Sequence, residues 1–379
     1  MTGICKNVVL ASGGTGGHIF PARALAEELT SRGFSVTLMT DGRGTRYEEL
    51  FPGVDVMIVK SGSPSIGGPI GKVRAILSLA AGFFEARAAL RKLQPFAVVG
   101  FGGYPSMPPA AAAASLKIPL VLHEQNAVLG RVNRLLSRYA RAIATSFART
   151  ESRNEADHEK MVFTGNPVRR AILALANSGY AAPNSDAPIR LLILGGSQGA
   201  TVLSDVVPGA LVALPEDLRA RLDVTQQCRP EDIDRVTALY REAGIKAMIS
   251  SFFENVDELL KGCHLAITRS GASTLAELTV VGRPSLLVPF KHAMDDHQRK
   301  NAENAVGRGA ARLILQDDFT IESASQDLAQ LLSHPNVLKK MAAAASEIGE
   351  LKAAEKLADL VVRFAPANND TNSNGKAAA

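Results

Sequence analysis

One local pattern occurs four times in the 379 residues and restricts the fold more than any other feature. A short apolar run ends abruptly in glycine, and a segment with helical periodicity follows. The pattern reads VVLASGGTGGH from Val8, VVGFGGYPS from Val98, LLILGGSQGA from Leu191 and LAITRSGASTLAE from Leu265. Uninterrupted apolar runs of this length suit strands buried on both faces of a parallel sheet. Behind the first turn, Ala22, Leu25, Ala26 and Leu29 recur at the spacing of one helix face. Alternating strand and helix predicts α/β, doubly wound parallel sheets. The first and third turns each close the first clear strand of a half, and one hydrophobic core seldom serves a chain this long. Two Rossmann-like domains are therefore expected, over 1–166 and 167–345. The hinge is expected within 165–188, where NSGYAAPNSDAP has the composition of turns and linkers. A helix over 346–364 can pack on either domain and is assigned to the first. Residues 366–379 lack apolar periodicity and read as a disordered tail.

Several function classes are disfavoured early. Three cysteines, Cys5, Cys228 and Cys263, form no CxxC pair, which argues against a disulfide framework or a zinc module. The apolar run Val8 to Ala11 is too short for a signal h-region, and Ala110 to Ala114 is too short for a membrane span, so a cytoplasmic location is expected. The net charge is only +5, yet residues 60–150 carry twelve Lys and Arg against two acids, Glu85 and Glu124. Such a face attracts phosphate, whether of nucleic acid, anionic lipid or a pyrophosphate substrate.

Glycine lets the backbone approach a ligand closely, and a helix that begins there directs unpaired N–H groups and a positive dipole end toward it. Gly13 to Gly17 and Gly195 to Gly199 are thus candidate phosphate or sugar cradles. A dinucleotide site is the obvious rival, with Asp41 placed as a ribose-binding acid, but its third glycine position is Ile19. GxxxxGK[ST] does not occur. Asp232 and Asp234 mimic a metal-binding DxD but read better as acids at a helix start.

Taken together, the blocks GGTGGH (13–18), GFGGYPS (100–106), HEQNAVLGRVN (123–133), GNPVR (165–169), GGSQGA (195–200), RSGASTLAE (269–277) and DHQRKNA (296–302) closely resemble the MurG family. These are family 28 glycosyltransferases of the GT-B fold. The resemblance implies an inverting enzyme with its cleft between two Rossmann-like domains. It would move N-acetylglucosamine (GlcNAc) from UDP-GlcNAc to the MurNAc 4-hydroxyl of undecaprenyl-pyrophosphoryl-MurNAc-pentapeptide (lipid I), forming lipid II for peptidoglycan.

By the same resemblance the donor would be held by Thr15, Gly16, Gly17, Asn126, Arg169, Ser197, Phe253, Ala272, Ser273, Thr274, Glu277 and Gln298. Ser197 would sit at the diphosphate, Glu277 at the ribose hydroxyls, Phe253 at uracil through its backbone, and Asn126 and Gln298 at the sugar. The pattern departs at Lys291 and His297, where some relatives carry Gln. No metal or cofactor is implied, since helix ends can compensate the departing diphosphate. Inversion requires a base for the acceptor hydroxyl, and His18 and Glu124 are the candidates; imidazole titrates nearer cytoplasmic pH. His123 is expected only to orient Glu124.

The implied acceptor is a lipid, so the protein would work at the cytoplasmic face of the inner membrane, peripherally, beside cell-wall synthesis proteins and not on nucleic acid. From Lys72 to Lys92, Ile76, Leu77, Leu79, Phe83 and Phe84 are bordered by cations, a pattern suited to an interfacial helix on anionic lipid as well as to a half-buried domain helix. Other GT-B glycolipid transferases, UDP-sugar epimerases and a non-catalytic nucleotide-sugar scaffold remain alternatives; HEQNAVLGRVN favours the lipid I enzyme.

Overall fold

The computed structural model describes residues 6–42, 48–63, 68–184, 186–196 and 199–365. Ser197, expected at the diphosphate, and the expected tail over 366–379 lie outside the described residues.

The apolar runs form two all-parallel sheets. The first contains β1 (Asn7–Ala11), β2 (Ser35–Thr40), β3 (Asp55–Ile58), β4 (Ala97–Gly100), β5 (Leu120–Glu124), β6 (Ala142–Thr145) and β7 (Met161–Phe163), in the order 3-2-1-4-5-6-7. The second contains β8 (Ile189–Leu194), β9 (Leu222–Gln227), β10 (Lys246–Ser250), β11 (Leu265–Thr268), β12 (Ser285–Leu287) and β13 (Ala311–Leu313), in the order 10-9-8-11-12-13. Both central strands of each sheet are apolar because helices cover both faces. Val8 and Leu10 point into one core and Val9 and Ala11 into another, as period-two alternation requires.

In each sheet the strand order reverses beside its first strand, between β1 and β4 and between β8 and β11. A crevice opens at the carboxyl ends of the strands at such a point, and ligands of open α/β sheets bind there. The four glycine turns found in the sequence follow β1, β4, β8 and β11, so all four flank these two crevices.

Two expected segment boundaries differ from what is observed. The chain crosses to the second sheet at 164–169, the start of the segment expected to hold the hinge. The Pro/Asn-rich stretch after it is fixed to the second domain: buried Arg283 donates to the Gly179 carbonyl at 2.9 Å, and the Tyr180 hydroxyl donates to the His264 carbonyl at 2.9 Å. The helix expected over 346–364 is two helices, Pro335–Ile348 and Ala353–Val362. Between them Gly349 lies so close to the helix Ala272–Val281 that a Cβ would stand 2.6 Å from the Thr279 carbonyl oxygen.

The last helix returns to the first domain. Leu357, Ala358, Leu360 and Val361 join the core containing Leu25 and Leu29, and Arg32 pairs with Asp359 at 2.6 Å. Leu357 is fully buried. Leu357→Ala should therefore destabilise the N-terminal domain by about 2–5 kcal/mol, although the residue lies near the end of the chain. Denaturant unfolding checks this; a loss below about 1 kcal/mol would mean that the helix is not part of that core.

Candidate active site

Two helices point their N-termini at each other across the gap between the sheets. One, Gly16–Ser31, starts at the first glycine turn; the other, Ala272–Val281, starts after Gly271. Neither has a side-chain cap or an acid in its first turn, so their leading N–H groups remain available to an anion. The Ser273 hydroxyl stands 3.5 Å from the Gly17 carbonyl, at the outer limit of a hydrogen bond. Thr15 is the N-cap residue of the first helix, and Ala272 is buried at the start of the second. At the third turn, a Cβ on Gly195 would collide with the Ala200 amide, so the turn needs glycine there to lead into the helix Thr201–Val212. Phe253, half-buried, follows the carboxyl end of β10.

His18, Glu124 and Asn126 line one cavity of about 240 Å³ together with Met294, Asp295 and His297 of the second domain. His18 Nδ1 lies 2.9 Å from the Gln125 side-chain oxygen. Burial holds its imidazole pKa below the usual 6.5, outweighing the Gln125 hydrogen bond and the nearby charge of Glu124, which act in the opposite sense.

The second candidate base has a different geometry. Buried Glu124 accepts from the Asn126 amide N–H at 3.0 Å and the Asn126 side chain at 3.3 Å through one oxygen. Through the other it accepts from the Gly130 N–H at 2.9 Å and Asn133 Nδ2 at 2.8 Å. A carboxylate offers about four lone-pair sites, and four donors occupy them. Glu124 thus anchors the loop 126–133 and has no lone pair left for an acceptor proton. His123, expected to orient Glu124, instead contacts Gln125.

Asn126 and Gln298, expected at the sugar, are engaged within the protein. The Asn126 side-chain oxygen accepts from Asn301 Nδ2 at 3.1 Å, and the Gln298 side-chain oxygen accepts from the Phe290 N–H at 2.9 Å. Arg169 and Glu277, expected to make separate donor contacts, are a bidentate pair at 2.8 and 3.1 Å. The guanidinium also lies 5.2 Å from the centre of the Phe20 ring, so it links the first domain's loop helix to the second domain's. Each Glu277 oxygen keeps a further lone pair beside the arginine. Lys291 pairs with Asp317, and His297 Nδ1 donates to the Met294 carbonyl at 2.7 Å. Asp232 pairs with Arg235 at 2.8 Å on its own helix, in keeping with a helix-start acid.

Apart from Arg169, the residues that join the domains were not singled out in the sequence. Asn301, fully buried, accepts from the Ala127 N–H at 2.8 Å and donates to Asn126 and to the Ser270 carbonyl. Asp295, in the left-handed region with φ 52°, pairs with Arg134 at 3.3 Å. The one available signal was spacing: Gln298 and Asn301 are three apart on one helix, hence on one face.

On the outer surface of the first domain, the helix Gly68–Leu93 divides its apolar residues. Ile76, Leu77 and Phe84 are 58 %, 65 % and 67 % exposed, whereas Phe83 packs partly against the core and Leu79 is half-buried. Phe83 and Phe84, expected to act together, therefore face different ways. No helix among the described residues is long and apolar enough to cross a membrane.

Family models match both halves: the glycosyltransferase family 28 N-terminal domain over residues 8–145 and the family's C-terminal domain over 190–361. The chain is 48 % identical to the "UDP-N-acetylglucosamine--N-acetylmuramyl-(pentapeptide) pyrophosphoryl-undecaprenol N-acetylglucosamine transferase" of Paramagnetospirillum magneticum, over 95 % of this chain and 97 % of that protein. Its likeness to the protein of the same name in Rhodospirillum centenum is also 48 %, over 96 % and 95 %. The crystal structure of Acinetobacter baumannii MurG superposes with a TM-score of 0.76 at 29 % identity, covering 94 % of this chain and 99 % of that one. A Neisseria meningitidis UDP-GlcNAc 2-epimerase shares the fold alone, at TM-score 0.68 and 14 % identity over 94 % of this chain and all of that one. With most of both sheets covered by the two models and its relatives aligned along nearly its whole length, the chain belongs to glycosyltransferase family 28.

Proposed function

We propose that the protein transfers N-acetylglucosamine from UDP-GlcNAc to lipid I, with inversion at the anomeric carbon. The observation that carries this reading is the near-full-length 48 % identity to transferases named for that reaction. The cleft supplies a chemistry that fits it. The acceptor hydroxyl oxygen attacks the anomeric carbon, His18 Nε2 takes the hydroxyl proton, and the bond from that carbon to the diphosphate breaks as UDP leaves. Free N–H groups at the helix starts Gly16 and Ala272 stabilise the negative charge that grows on the diphosphate. Purified protein with labelled UDP-GlcNAc and a short-chain lipid I analogue should yield the β-linked disaccharide product; donor hydrolysis or epimerisation without transfer would overturn the assignment.

His18→Ala should lower kcat by about 10²- to 10⁴-fold, the usual contribution of a general base. The pH profile follows from the same residue. Neutral imidazole is the competent form, and burial lowers its pKa, so the rate should hold at and above pH 6.5 and fall only in more acidic solution. An acidic limb centred above 6.5 would contradict this.

Glu277 and Arg169 support a ribose and diphosphate corner on the second domain. Glu277→Ala should weaken UDP-GlcNAc binding by about 1–3 kcal/mol through loss of a charged acceptor. Calorimetry on the folded variant measures it, and unchanged affinity removes Glu277 from the donor site.

The outward row Ile76, Leu77 and Phe84, beside exposed Lys72, Arg74, Arg91 and Lys92, supports peripheral binding to anionic lipid. Replacing all three apolar residues with Ser should cut binding to anionic vesicles more than about tenfold, since burying one such side chain is worth about 1.5–3 kcal/mol. Melting temperature and donor affinity should stay unchanged. Normal vesicle sedimentation of the folded variant would remove this surface from the membrane role.

A further inference from the structure

We infer that Gln125 is a positioning residue that keeps the proton of His18 on Nδ1 and so leaves Nε2 as the free acceptor, the setting being relayed through His123 from the Gly165 carbonyl. The inference rests on the reading of His18 as the base. It starts from a buried amide whose orientation is settled by its neighbours. Gln125 Nε2 lies 3.0 Å from the Phe101 carbonyl oxygen and 3.2 Å from that of His123. Carbonyl oxygens only accept, so the NH₂ end of the amide must face them, and Oε1 must face His18 Nδ1 at 2.9 Å. Oε1 in turn only accepts, which places a hydrogen on Nδ1.

The far end of the relay agrees with this polarity. His123 Nε2 lies 3.3 Å from the Gly165 carbonyl and donates to it. Its Nδ1 is then a lone pair that accepts from Gln125 Nε2 at 2.9 Å. Burial depresses the His123 pKa to about 4, which keeps that ring neutral and its Nδ1 an acceptor. Turning the Gln125 amide over would set its oxygen against the carbonyl oxygens of Phe101 and His123. Gly165 itself sits where both chain crossings meet, since a Cβ there would strike Glu350.

The ring of His18 is also held from the side. Gly102 and Gly103 adopt φ of 79° and 70°, and a Cβ on Gly103 would stand 3.3 Å from His18 Cδ2 and Nε2. Backbone packing alone, however, cannot choose a tautomer, because both have the same heavy-atom shape. The Gln125 oxygen, 2.9 Å from Nδ1, distinguishes them. Without it, His18 could carry its proton on Nε2, where it could not accept one from the substrate.

The tautomer can be read directly. Long-range ¹H–¹⁵N correlation spectra of protein labelled with ¹⁵N-histidine, taken above pH 7.5, should show His18 protonated on Nδ1; His18→Gln assigns the signal. Protonation on Nε2 in the wild type would overturn the inference. In Gln125→Met the His18 signal should shift toward the Nε2–H form. Its kcat should fall about 10- to 100-fold, less than the full general-base contribution because His18 itself remains, while KM for UDP-GlcNAc changes less than about threefold. A folded Gln125→Met enzyme with kcat within twofold of wild type would also overturn it, as would a loss confined to KM. A near-wild-type kcat in His18→Ala would remove the base reading itself, and this inference with it. Nε2 protonation alongside an inactive His18→Ala would remove the inference alone.

Discussion

An all-parallel sheet covered on both faces by helices has one place where its chain can present polar groups in a fixed array, the carboxyl edge of its strands. This chain meets that constraint twice and turns the two edges toward each other. The loops after β1 and β4 supply His18, Gly102 and Gly103, and those after β8 and β11 supply the opposing helix starts. The cores behind these edges are buried.

The relation between the domains rests on few contacts of mixed strength. Asn301 is fully buried and satisfied on both ends of its amide, so separating the domains would expose or orphan the Ala127 N–H and the Asn126 oxygen it now pairs. Buried polar groups left unpaired cost about 1–3 kcal/mol each, more than a surface ion pair contributes. The exposed pair Lys300 with Glu151 adds little by comparison. Arg169, held by Glu277 within the second domain, reaches the first domain through the Phe20 ring at 5.2 Å.

The sequence made the strands, their glycine turns and the helix starts legible, because each depends on neighbours within about twenty residues. It also singled out Glu277, Arg169, His18 and Gln298 through the blocks in which they stand. It could not reveal that Arg169 would already hold Glu277, 108 residues away, or that Asn126 would be engaged by Asn301, 175 residues away. Side-chain pairing at that separation is a product of the folded topology. Glu124 shows the same limit: an acid beside a histidine is a sound candidate base until the loop that folds over it fills every lone pair. The residue between them in importance, Gln125, has no titratable group and gave no signal beyond its place in a block.

The helix Gly68–Leu93 carries apolar residues on both its inner and its outer side. Its inward contacts demand small residues: Ala75, Gly82 and Ala86 are buried, and a Cβ on Gly82 would collide with the Lys60 carbonyl. Larger side chains are admitted inward only near the C-terminal half, where Phe83 and Leu90 reach the core. The apolar residues left over, Ile70, Val73, Ile76, Leu77 and Phe84, all face outward and are more than half exposed. Residues 70, 73, 77 and 84 recur at three, four and seven, so they form a continuous stripe and not scattered exceptions. Nothing in the core requires that stripe, and solvent exposure alone would favour polar residues there. A row of that composition, edged by lysine and arginine, is what burial in the headgroup region of an anionic bilayer would stabilise, which is why the lipid reading is preferred to simple packing.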